Sequence, residues 1–168
     1  MNPTSPRLRY RRLSAETLDA FWALATDAHV RRWLLDGERV DRAWCAHTLA
    51  ASDRLFATLG LGLWLVHLPD GAPIGFAGFH VFAECGPEPQ LLYALLEAHT
   101  GQGLATEIGR AVLDRAAELG IRRVASTVDA PNVASLRVLE KLGFRPTGEL
   151  PGAFGVMHTL ELALDPPD

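Results

Sequence analysis

The clearest periodic pattern lies between Gln90 and Glu149. Gln90–Leu96 is an apolar, strand-like run. A glycine loop follows, His99–Thr106, and leads into a long stretch with the amphipathic spacing of a helix. Arg122–Val128 then reads as a second strand. The next segment, DAPNVASLRVLEKLGF, reads as a turn, a short helix and a cap, with Gly143 at the position just past the helix. Strand, loop, helix and strand in this order predict a parallel βαβ unit.

The flanking pattern predicts hairpins and helices around that unit. Arg7–Leu13 alternates as a first strand. Ser14 precedes a helix over Thr17–Thr26, Val30–Leu35 forms a short helix or turn, and Glu38–Thr58 forms a longer helix. Leu61–Leu68 and Pro73–Phe82 pair around the turn Pro69-Asp70-Gly71. Phe144–Leu150 and Val156–Leu164 close the chain as a hairpin around Pro151–Gly155. The expected class is α/β with a mixed sheet, formed as one domain over residues 1–168.

Composition narrows the function classes. A net charge of −4 without a basic stripe argues against nucleic-acid binding. The four arginines Arg7, Arg9, Arg11 and Arg12 alternate with Leu8 and Tyr10, as on a solvated strand face. No apolar run approaches the ~20 residues that span a bilayer, so no membrane association is expected. Cys45 and Cys85 do not make a disulfide framework, and His99 and His158 lack metal-ligand spacing with other His or Cys residues. A cytoplasmic protein without a metal, acting as monomer or homodimer, is the expectation.

The glycine loop carries the chemistry. Gly101, Gly103 and Ala105 have little or no side chain, so a ligand can approach the backbone closely. The loop opens a helix whose free N–H groups and dipole favour an anion such as a pyrophosphate. A dinucleotide fold competes for this pattern, because Asp129 ends the next strand where a ribose-binding acid would sit. Thr106 in place of a third glycine, and the spacer Glu97–Thr100 between strand and loop, argue against it.

The segment resembles the GNAT acetyltransferases, in particular the branch of ribosomal-protein N-terminal acetyltransferases. The resemblance rests on Thr100-Gly101-Gln102-Gly103-Leu104-Ala105, on Asn132 with Ser135, and on Glu140-Lys141-Leu142-Gly143-Phe144, in that order. Thr100 departs from the Gln or Arg usual at the head of the loop. The resemblance implies the GNAT fold, a mostly antiparallel sheet around a parallel acyl-CoA-binding core. It implies that acetyl-CoA is the cosubstrate, held by Gly101, Gln102, Gly103, Leu104, Ala105 and Thr106. It further implies that the strand before the loop splays from its neighbour, so that the backbone of Ala94, Leu95 and Leu96 reaches the pantetheine arm. Asn132 would contact that arm, and Asn132 is equally a good helix N-cap.

The resemblance makes Ser135 the candidate acid for the departing thiolate, because the tyrosine more usual in the family is absent near Phe144. A thiol with pKa ~8.5 makes such an acid helpful but dispensable. Many relatives carry a glutamate base where Gln90 stands, which leaves Glu84 as the best remaining carboxylate and His80 as the next choice. An α-amine of pKa ~8 costs about 1.4 kcal/mol to deprotonate at pH 7, whereas a lysine of ~10.4 costs nearly ~5 kcal/mol. A peptide α-amine or a small-molecule amine is therefore the expected acceptor. Trp33, Leu34, Phe79, Phe82 and His80 are candidates for its pocket. The alternatives are an inactive acyl-CoA sensor domain and, more distantly, a nicotinamide-cofactor oxidoreductase.

Overall fold

A computed structural model describes residues 1–82 and 86–165. Seven strands form one mixed sheet: β1 Arg9–Arg12, β2 Leu63–His67, β3 Pro73–His80, β4 Gln90–Leu95, β5 Arg123–Asp129, β6 Arg145–Gly152 and β7 Gly155–Ala163. Their order across the sheet is β1-β2-β3-β4-β5-β7-β6. Every neighbouring pair is antiparallel except β4 with β5, which is the parallel pair of the βαβ unit.

Among the described residues, five α-helices connect the strands: α1 Leu18–Ala25, α2 Ala28–Leu34, α3 Arg42–Leu59, α4 Leu104–Glu118 and α5 Val133–Lys141. Local chemistry sets their ends. The Asp27 carboxylate accepts from the N–H groups of His29 and Val30 at the start of α2. The Asp41 carboxylate accepts from Trp44 N–H, so α3 begins at Arg42 rather than at Glu38 as the periodicity suggests. The closing turn is also tighter than its proline and glycines suggest, because β6 and β7 are joined through Ala153 and Phe154 alone. Pro151 is tolerated in β6 because β6 is an edge strand.

Side-chain alternation along the strands divides the core in two. On one face Leu63, Leu65, Phe76 and Ala94 pack with Phe21, Leu24, Val30, Cys45 and Leu49 from α1–α3. On the other, Trp64, Val66, Leu91, Leu95, Val124, Val128 and Leu160 pack with Ile108 and Val112 of α4 and Leu139 of α5. Ser52 is fully buried at the edge of α3, and its hydroxyl accepts from Leu63 N–H at 2.8 Å. Among the described residues, no helix is long and apolar enough to cross a membrane.

Candidate active site

β4 and β5 begin side by side and then separate. Among the described residues their pairing is confined to Gln90 with Ala125. The Ala125 N–H donates to the Pro89 carbonyl at 3.1 Å, and the Ser126 hydroxyl donates to the Leu91 carbonyl at 3.0 Å. Beyond these contacts the parallel ladder stops. Successive residues of β4 point their peptide groups alternately to either neighbour. The Leu96 N–H donates to the Ile74 carbonyl at 2.9 Å, and a side chain on Gly75 would collide with the Ala94 carbonyl, so the peptide groups of Ala94 and Leu96 are turned to β3. The peptide groups of Tyr93 and Leu95 face the gap. Of the three backbone positions expected at the pantetheine arm, Leu95 is the one turned toward the gap.

The gap opens directly onto the glycine loop. Gly101 and Gly103 have φ +72° and +76°, a left-handed conformation that favours glycine. Gly103 is the N-cap of α4 and supplies no side chain to its free N–H groups. The first helical bond runs from Glu107 N–H to the Gly103 carbonyl, so the N–H groups of Leu104, Ala105 and Thr106 point out of the helix end. Thr100 turns its hydroxyl inward to the Glu97 carbonyl at 2.7 Å, and Gln102 donates its side-chain amide to the Ala98 carbonyl. A Cβ at Gly101 would meet open space. An uncapped helix end, bare glycines and an unzipped strand fit a pyrophosphate with an extended arm.

A second group of residues crosses to this loop from the start of the chain. The Arg7 guanidinium donates to Glu107 Oε2 at 2.6 Å and to the Gln102 carbonyl at 3.1 Å, and the Arg7 N–H donates to Glu107 Oε1. Burial works against the Glu107 charge, but these bonds from Arg7 outweigh it and hold the carboxyl below the usual glutamate range. Arg7 thus neutralises an acid in the first turn of α4, where an anion would otherwise meet it.

Ser135 and Asn132 lie across the gap from β4. The Asn132 Oδ1 accepts from Ser135 N–H at 3.2 Å, so Asn132 caps α5 and leaves its amide nitrogen for another partner. The Ser135 hydroxyl lies 2.8 Å from the Tyr93 hydroxyl. Sequence reasoning missed this tyrosine as a functional residue. It reaches Ser135 from β4, 42 positions earlier in the chain. Burial pushes the Tyr93 phenol up to about 12, and the hydrogen bond to Ser135 offsets only part of that. The phenol remains a proton donor at neutral pH.

The acceptor-side candidates are dispersed. Trp33 is half-buried on α2, with the Arg32 guanidinium 4.7 Å from its ring centre. His80 ends β3 beside Gln90, at the closed end of the β4–β5 gap, with its ring 4.6 Å from Phe82. It lines a cavity of about 250 Å³ with Ala51, Arg54, Leu55, Thr58 and Val81. Phe79 is fully buried on the α4 side, as core packing. Gln90 is also buried, and its side-chain oxygen accepts from the Thr127 hydroxyl at 3.4 Å. Glu84 lies outside the described residues. Among those residues, no group of three or more His, Cys, Asp or Glu side chains is arranged to hold a metal ion.

Known proteins share this fold. A 57-residue stretch is 46% identical to the probable N-acetyltransferase YjcK of Bacillus subtilis, covering 33% of this chain and 32% of that protein. The matched region is thus about a third of the relative's length. A GnaT-family protein from Bordetella pertussis superposes with a TM-score of 0.79 at 25% identity, over 94% of this chain and 96% of that one. RimL, a ribosomal alpha-N-protein acetyltransferase solved in complex with coenzyme A, has the same fold, with a TM-score of 0.81 at 18% identity over 97% of each chain. Residues 7–145 match the acetyltransferase (GNAT) domain model. The chain belongs to the GNAT acetyltransferase family.

Proposed function

We propose that the chain transfers an acetyl group from acetyl-CoA to a primary amine, either a peptide N-terminal α-amine or the amine of a small molecule. The observation that carries this reading is the loss of β4–β5 pairing beyond Gln90 and Ala125, directly before an uncapped helix end. Acetyl-CoA supplies the thioester, whose C–S bond breaks as the amine forms the new C–N bond. The Leu104–Thr106 N–H groups would hold the pyrophosphate, and the Leu95 N–H would bond the thioester carbonyl in the manner of an oxyanion hole. Ser135 would protonate the departing sulfur. The Tyr93 phenol, 2.8 Å from it, would hold the serine hydroxyl in place by a hydrogen bond. Trp33 and His80 would border the path of the acceptor.

The test is thiol release from acetyl-CoA with a panel of peptide and small-molecule amines, run beside calorimetric binding of acetyl-CoA. Amine-dependent release is the expected result. Tight binding with no release for any amine would instead support the inactive sensor, a reading favoured by the neutral Gln90 in place of an acid. Failure to bind acetyl-CoA would overturn both.

A further inference from the structure

We propose that Asp129 receives the proton of the acceptor amine, and so is the general base of the acetyl transfer described above, on which this inference rests. Asp129 ends β5, only 8% exposed, and its Oδ1 has no hydrogen-bond partner. Buried carboxylates are paired unless something keeps them apart from partners, so an orphan oxygen calls for an explanation. The room it occupies is made by Gly152, because a Cβ there would stand 2.6 Å from Oδ1.

Register places this oxygen at the reacting end of the gap. Gln90 is level with Ala125, and Ala94 and Asp129 each lie four residues beyond that pair, on the two strands that border the gap. Both side chains lie on the face opposite α4 and α5, since Val128 packs with those helices and Ala94 packs with α1–α3. Ser135 and Tyr93 belong to the α4–α5 side. A proton donor for sulfur and a proton acceptor for nitrogen thus stand on opposite faces of one opening. A cavity of about 250 Å³ on the Asp129 face is lined by Gln90, Thr127, Thr159 and Leu150, and its Thr127 and Leu150 walls lie one side-chain step from Asp129 and Gly152.

The charge that acts on Asp129 is that of Asp36, in the loop after α2. On its face Met157 of β7 is level with Asp129, Leu150 of β6 is level with Met157, and Gly152 is the β6 residue closest to Oδ1. The ion pair of His158 with Glu149 projects from the other face. Burial first, and the Asp36 charge second, hold the Asp129 carboxyl above the usual aspartate range, toward the operating pH. In the step, the neutral amine forms the N–C bond and its proton passes to the Asp129 carboxylate. The C–S electron pair goes to sulfur, which takes a proton from Ser135. Asp129 then returns its proton to solvent, and the serine is reprotonated from it.

The experiment compares wild type, Asp129→Asn and Gly152→Ala in acetyl-CoA affinity, turnover across pH, and melting temperature. Asp129→Asn should lose about a hundredfold in kcat with acetyl-CoA affinity unchanged, and should lose an acidic limb that is constant across acceptors. Gly152→Ala keeps the charge but displaces the carboxylate, and should lower kcat at least tenfold, at the weak end of misplacement effects. A folded-state pKa above the unfolded one means that Asp129 favours folding when protonated and loses that contribution as pH rises through the folded value. Asp129→Asn should therefore melt higher than wild type at neutral pH, with the difference closing in acid. Wild-type turnover and pH profile in Asp129→Asn would overturn the inference alone, as would an unchanged or lowered melting temperature at neutral pH. A wild type that binds acetyl-CoA but acetylates no amine would overturn the acetyltransferase reading, and this role with it.

Discussion

At the scale of single residues, the proposed proton supply for the leaving group rests on the pairing of Tyr93 with Ser135. Thiolate is a tolerable leaving group near neutral pH, so Ser135→Ala should reduce kcat only about tenfold, the low end of general-acid effects. Steady-state kinetics at saturating acetyl-CoA checks this, and a loss beyond about a thousandfold would make the serine indispensable. Tyr93→Phe removes the orienting hydroxyl and leaves the ring, so its effect should not exceed that of Ser135→Ala and should not add to it in the double variant. With its phenol at about 12, Tyr93 should give the pH–rate profile no descending limb up to roughly pH 10. A limb near the ordinary tyrosine value that vanishes in Tyr93→Phe would contradict the burial described for it.

At the scale of elements, α4 and its loop depend on a contact that spans most of the chain. Glu107 has a depressed folded-state pKa, so it stabilises the fold above its unfolded value of about 4.3 and loses that contribution as pH falls through the folded value. Arg7→Ala should therefore lower the melting temperature at neutral pH, with the gap to wild type narrowing in acid. It should also weaken acetyl-CoA binding, because it exposes a carboxylate beside the proposed anion site. Calorimetry on Arg7→Ala and on Arg7→Ala with Glu107→Gln separates the effects, since the second change should restore part of the affinity. Elsewhere, Ser52→Ala strands the buried Leu63 N–H and should cost about 1–3 kcal/mol in denaturant unfolding.

These elements were legible in the sequence to the extent that their causes are local. The glycine loop, the amphipathic α4 and the Asn132 and Gly143 ends of α5 declare themselves within a few residues. The start of α3 did not, because Glu38 continues an acceptable periodicity and only the capping contact of Asp41 decides the boundary. Arg7 read as one of four arginines on a solvated strand face, and nothing nearby in the sequence points to Glu107, 100 positions on.

At the scale of the whole molecule, the site is a property of sheet register. The Thr100-to-Ala105 motif announces an anion cradle, but the separation of β4 from β5 follows from how far two distant strands stay paired. Asp129 entered the sequence reading as a feature of a competing dinucleotide fold; register with β4 and room beside Gly152 give it another role. Tyr93 gains meaning only when α5 packs across the gap. The central claim is that acetyl-CoA is seated on the uncapped end of α4. The direct measurement is calorimetric titration of acetyl-CoA into wild type and Gly103→Asp. Aspartate tolerates the left-handed conformation of Gly103 better than most residues, and it places a negative charge in the cradle. The account predicts one-to-one binding by wild type and its loss in a variant whose circular dichroism and melting show an intact fold. Equal affinity in the two folded proteins would contradict it.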